Sequence, residues 1–160
     1  MYYLLYLCNI YNVKINKVET LNLIENLDID SLIKKATSDK EIYFLYNIAK
    51  ILDKDFNSKA CIEKINGFYN IEFNSYSNDT QNNIANIYST YRMLSVLKDL
   101  KVEDININKD KINNFLDNVR GEKGGYFINY DDKLKDEERY KTNFTWQNLY
   151  YAYSINKILD

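Results

Sequence analysis

Residues 120–127 read "RGEKGGYF". The chain has only four glycines. Three of them, Gly121, Gly124 and Gly125, stand in this stretch. Glycine adopts positive φ without steric cost, so paired glycines after a helix mark a sharp chain reversal. The preceding residues supply the helix: Ile112, Phe115, Leu116 and Val119 recur at helical spacing over 108–119, with Asn108 as a candidate N-cap. Gly124, Gly125 and Phe127 are therefore assigned to a structural turn, in which Tyr126 or Phe127 closes over the end of a helix pair.

The same periodicity extends towards both ends. Helices are expected over 2–13, 17–27, 30–36 (N-cap Asp30 or Ser31), 39–53 (N-cap Ser38 or Asp39), 58–68 (N-cap Ser58, Gly67 near the end), 84–101 and 143–159. Over 39–53 the inward face is Ile42, Leu45, Ile48, Ile51 and Leu52, and the last helix carries Trp146, Leu149, Tyr150, Tyr153 and Ile158. Residues 70–83 have the Asn, Ser and Asp density of a loop, and no strand is expected. Four of the helices share a pattern of early Tyr, then aliphatic or small residues, then a charged end. Tyr6, Tyr46 and Tyr91 fall in register, with Tyr150 as the match in the last copy. A second helix type alternates with the first, giving a two-helix repeat of roughly 40–50 residues, the mark of stacked helical hairpins.

Composition sets limits. The chain has 160 residues, 46% hydrophobic and 28% charged, with a formal net charge of −2, as for one globular domain spanning 1–160. Acidic and basic residues are interspersed and no basic block occurs, so nucleic acid is not an expected partner. No apolar run reaches membrane-spanning length, and the apolar start has no basic residue ahead of it. That start reads as a core helix opening almost at residue 1, as in a chain cut from something longer. His and Pro are absent. Without His there is no Ser–His or Cys–His catalysis and no imidazole metal site, so neither cofactor nor metal is expected. Cys8 and Cys61 lie in apolar helical segments and read as small buried hydrophobes, in keeping with a reducing, cytoplasmic setting.

The segment 89–127 resembles the repeat of the prenyltransferase/terpenoid-cyclase family. Ser89, Thr90 and Tyr91 match the opening of its first helix, Phe115 and Leu116 the second helix, and Gly124, Gly125 and Tyr126 or Phe127 the closing turn. The Gln usual before that turn is missing; Val119 and Arg120 occupy the region. The family closes six hairpins into an α/α toroid around a cavity. The resemblance therefore implies an all-α fold of stacked antiparallel hairpins, a partial toroid of about seven helices. Completion by another chain or a homo-oligomer would follow.

The family's chemistry is not matched. Where its zinc-binding His would stand, in a run similar to "GGYFINYDDKLKDEERYKTNF", this chain has Lys141 between Tyr140 and Thr142. Neither Asp28/Asp30 nor Asp131/Asp132 reproduces the Asp-x-Asp-Asp acid of the cyclases. An enzyme would need a buried acid with a raised pKa on an inner helix; Glu41 is the residue to examine. What remains is aromatic: 16 Tyr, 7 Phe and one Trp. Tyr has a flat apolar face and a hydroxyl, which suits binding as well as core packing. Tyr46, Tyr88, Tyr91, Trp146, Tyr150 and Tyr153 are the candidate groove residues. The expected function is a noncatalytic binding or protein-interaction module whose Tyr-rich concave face takes a peptide, a protein or an apolar ligand. The alternative is a fragment or subunit of an isoprenoid- or carbohydrate-processing toroid enzyme.

Overall fold

A computed structural model describes residues 27–81, 83–102, 109–121, 124–129 and 146–160. The expected helices 2–13 and most of 17–27, Cys8, and the acidic segment with Asp131, Asp132 and Lys141 lie outside the described residues. The described chain is mostly helical. It runs α1 (Ile29–Lys35), α2 (Asp39–Ile51), α3 (Ser58–Asn66), β1 (Tyr69–Asn70), β2 (Ser75–Tyr76), α4 (Ile87–Asp99), α5 (Lys109–Asn118) and α6 (Trp146–Leu159).

Caps place the helix ends. α1 begins a residue earlier than expected, because Asp28 accepts the Ser31 N–H at 3.0 Å. Asn57, not Ser58, caps α3 by accepting from Ala60 N–H. Ser38 caps α2 in a capping box with Glu41: the Ser38 hydroxyl accepts Glu41 N–H while the Glu41 carboxylate accepts Ser38 N–H. Asn86 caps α4, so that helix is shorter than the 84–101 expected.

α2 and α4 are copies in their backbone as well as their sequence. Each has 13 residues and an extended N-cap residue, Ser38 or Asn86. Each ends in a Schellman turn through a residue in positive φ, Asp53 at 53° or Lys101 at 52°. The closing bonds also match: Lys54 N–H to Ala49 O, and Val102 N–H to Leu97 O. This alignment of caps pairs Tyr43 with Tyr91 and Asn47 with Ser95. It corrects the register that set Tyr46 against Tyr91. Similar residue types at neighbouring positions of a helix had hidden the offset.

After α3 the chain returns to the N-terminus of α2, and after α5 it returns to that of α4. Asp39 N–H donates to Asn78 O, and Ile87 N–H to Ile128 O. The two returns are built alike. In the first, β1 and β2 pair antiparallel, Tyr69 opposite Tyr76 and Asn70 opposite Ser75. In the second, Arg120 opposes Tyr126. The 70–83 loop thus contains a small ribbon that the sequence reading missed, because two-residue strands are too short to show alternation. Gly124 and Gly125 adopt φ of 91° and 80°, as a tight reversal requires. Phe127, not Tyr126, is the buried aromatic that seals the end, and its N–H donates to Val119 O at 2.8 Å.

α2 packs on α4 and α4 on α6, while α1 lies against α2 and α3. The core between them holds Ile33, Ile42, Ile65, Phe68, Ile87, Met93, Leu94, Ile112 and Phe115. On α2 the most buried positions are Ile42, Tyr46 and Ala49, with Leu45 and Ile48 partly covered. Cys61 is a free, buried thiol in this core, as expected, and burial pushes its pKa up to about 12. Among the described residues no helix is long and apolar enough to cross a membrane.

Candidate functional site

Three helices that pack in sequence leave a groove along their common exposed side. Its volume is about 480 Å³. Each helix contributes a pair made of a tyrosine and a small polar residue: Tyr43 and Asn47 from α2, Tyr91 and Ser95 from α4, Tyr150 and Ser154 from α6. In α2 and α4 the pairs stand at positions matched by the caps, and in all three helices the two residues are four apart, so they lie one turn above another on the same face. Tyr153 and Ile158 extend the α6 wall.

One end of the groove is charged. Asp99 receives the Lys50 ammonium and, at 3.4 Å, the Tyr46 hydroxyl. Lys98 Nζ donates to the last-turn carbonyls of α6, Lys157 O at 3.3 Å and Ile158 O at 3.2 Å. Lysine at a helix C-terminus is favoured by the helix dipole. Lys157 also borders the groove and is exposed.

The wall between α4 and α6 is a cluster of tyrosines. Tyr151 stands 4.9 Å, centroid to centroid, from both Tyr88 and Tyr91, and Tyr150 is 5.4 Å from Tyr151. These are the tilted and edge-on contacts that aromatic quadrupoles favour. The Tyr88 hydroxyl donates to buried Asn148 Oδ1 at 2.6 Å, and Asn148 Nδ2 donates to Tyr126 O. The glycine turn, α4 and α6 are thereby fastened together. Burial raises the Tyr91 pKa, and burial with the Asp99 charge pushes Tyr46 up to about 12, so both stay neutral donors at physiological pH.

Of the six candidate residues, Tyr46, Tyr91, Tyr150 and Tyr153 line the groove. Tyr46 does so from below, being only 5% exposed. Tyr88 lies behind the wall, its hydroxyl committed to Asn148. Trp146 is 86% exposed and is not part of the groove. The reason is the rotation of α6. Its small or compact residues Asn148, Ala152 and Ile155 face inward, so the bulky stripe at 146, 149, 150 and 153 faces out. Sequence reasoning missed Tyr43, Asn47, Ser95, Ser154 and Tyr151. The correct repeat register would have found the first four.

Glu41, the candidate acid, does not have a catalytic environment. It is exposed, and hydrogen bonds from the Thr37 and Ser38 N–H groups lower its pKa. Among the described residues the buried acid is Asp39, and it is bound to Arg92. Among the described residues no three His, Cys, Asp or Glu side chains converge in a metal-binding group. A larger depression, about 910 Å³, lies between α1 and α3. Its polar side chains have structural work: Asp28 and Asn57 are N-caps, and Lys64 Nζ donates to Lys34 O. Comparison with known proteins gives no matching family model, no matching curated protein and no matching solved structure.

Proposed function

We propose that the chain is a noncatalytic binding module that holds an extended peptide segment across its tyrosine-lined groove. The observation that carries this reading is the ladder Tyr43–Asn47, Tyr91–Ser95, Tyr150–Ser154, one rung per helix. Packed helices lie about 8–10 Å apart. An extended chain advances about 3.3 Å per residue, so each rung meets roughly every third residue of such a ligand. The amide and hydroxyls of Asn47, Ser95 and Ser154 suit a peptide backbone, and the tyrosine faces suit its side chains. Lys98 and Lys157 at the charged end favour a ligand with a carboxylate there.

Resemblance to the prenyltransferase/terpenoid-cyclase repeat enters the same proposal: the stacked hairpins form part of an α/α toroid, and the groove is its concave side. The duplicated α2 and α4, each rejoined by its own return, support this reading. Against the enzyme alternative stands Glu41, exposed and occupied in a capping box.

The test is selection of a random peptide library on the folded protein, repeated on Asn47→Ala and Tyr91→Ala. Enriched peptides should share a three-residue periodicity and bind each variant about tenfold more weakly, as for loss of one anchor. If no peptide enriches, or if those that do bind the variants as well as the parent, the reading fails.

A further inference from the structure

The outward face of α6 carries Trp146, Leu149, Tyr150 and Tyr153, exposed by 86%, 38%, 58% and 65%. The repeat register gives that face its meaning. On α2 the matching stripe is Asp39, Tyr43, Tyr46 and Lys50. Three of these reach α4, Asp39 to Arg92, and Tyr46 and Lys50 to Asp99. On α4 it is Ile87, Tyr91, Leu94 and Lys98, where Tyr91 meets Tyr150 and Tyr151, and Lys98 meets the end of α6. On α6 it is Trp146, Tyr150, Tyr153 and Lys157. The first three are more than half exposed, though on the earlier helices this stripe is the helix-packing surface.

We propose that this stripe is the interface of a symmetric homodimer, in which α6 packs antiparallel on α6 of a second copy. The stripe is palindromic: its gaps of four, three and four residues read the same in both directions. Laid antiparallel on itself, it sets Trp146 against Lys157 of the second copy, and Tyr150 against Tyr153. The first pairing puts an ammonium over an indole face, and the second pairs tyrosine rings. From 146 to 156 the helix has no charged residue, so no like charges oppose each other. A twofold axis requires such self-complementarity.

The area is sufficient. Burying a large aromatic removes about 150–250 Å². At the exposures given, the stripe offers on the order of 500 Å² per copy. The pair would bury about 1,000 Å², the floor for a specific, reversible interface.

Tyr150, Tyr153 and Lys157 also border the groove, so a groove-bound peptide and the second copy compete for them, and the test uses the free chain with variants at Trp146 and Leu149, which do not line the groove. The experiment is sedimentation velocity of the full chain over a concentration series from low to high micromolar. The expected result is a reversible monomer–dimer equilibrium that stops at two copies. Trp146→Ala and Leu149→Asp should each weaken it about tenfold or more. Helical circular dichroism confirms that each variant is folded. A chain that stays monomeric throughout overturns the proposal. So does a dimer indifferent to Trp146→Ala and Leu149→Asp, or an open series that keeps growing with concentration.

Discussion

Asp39, buried in the first turn of α2, is gripped by the Arg92 guanidinium of α4 at 2.6 Å. The carboxylate is 1% exposed and the guanidinium 16%, so the pair is largely out of water. Its second oxygen, Oδ1, is buried without a hydrogen-bond partner. Such a pair does little for net stability but is costly to break, because one partner is left as an uncompensated buried charge. Arg92 is also placed over the Tyr88 ring, at 6.0 Å from its centroid, and so ties α2 to the tyrosine wall of the groove.

Arg92→Ala is therefore expected to lose about 3–5 kcal/mol in urea unfolding. The double variant Asp39→Leu/Arg92→Leu should recover most of that loss. Lys50→Ala, which breaks the exposed pair with Asp99, should cost at most about 1 kcal/mol. If Arg92→Ala is as mild as Lys50→Ala, Asp39 is hydrated and the account of its burial is wrong.

The α2 capping box makes stability depend on acid. Hydrogen bonds from Thr37 and Ser38 hold Glu41 below its ordinary pKa of 4.5. A depressed folded pKa contributes stability above the unfolded value, and that contribution is lost as pH falls through the folded value. Glu41→Gln should remove this portion of the acid-side slope, visible when unfolding free energies of variant and parent are compared from pH 7 down to about 3. Ser38→Ala should cost about 1 kcal/mol at neutral pH. Parallel pH profiles for parent and Glu41→Gln would refute the assignment.

Alkaline pH acts on buried tyrosine and thiol. Burial raises Tyr46 from 10.0 to about 12 and Cys61 from 9.0 to about 12, and it raises Tyr76 as well. A raised folded pKa means full stability below the unfolded value and loss as pH rises towards the folded one. Stability should thus fall from about pH 9 upward. Tyr46→Phe should make the decline shallower above pH 10. A thermal midpoint unchanged between pH 8 and 11 would count against these burials.

The glycine turn gives a prediction about backbone alone. A Cβ at Gly124 would meet nothing within 4 Å, yet φ there is 91°. Gly124→Ala should therefore cost about 1–2 kcal/mol through conformation, without a clash. Circular dichroism should show an unchanged helical content with a lower melting temperature. A neutral Gly124→Ala would mean that the turn has another conformation.

Helix positions were legible in the sequence because apolar spacing and capping residues act locally. Ser38, Gly67 and the pair Gly124–Gly125 all mark chain ends or reversals as read. The register of the repeat was less legible. Tyr43 and Tyr46 are both tyrosines one turn apart, and only the shared N-caps and Schellman turns show which one matches Tyr91. The small ribbon after α3 was not legible, since its pairing depends on the return of the chain to Asp39.

The candidate site divides in the same way. Its abundance of tyrosine was plain, but which tyrosines face the groove depends on helix rotation. α6 shows this most clearly: Trp146, Leu149, Tyr150 and Tyr153 form the strongest apolar stripe, and packing turned the weaker one, Asn148, Ala152 and Ile155, inward. Close approach to α4 favours small side chains, and the Tyr88 hydroxyl holds Asn148 in place.

Local sequence set the positions of the described helices, the Ser38 cap and the glycine reversal, since each depends on residues within a few positions of one another. Packing between distant segments set which face of α6 is buried, that Tyr43 rather than Tyr46 is the rung beside Tyr91, and that Asp39 is an ion-pair partner rather than a free acid. Those outcomes depend on contacts between residues far apart in the chain, and a local pattern of spacing carries no term for them.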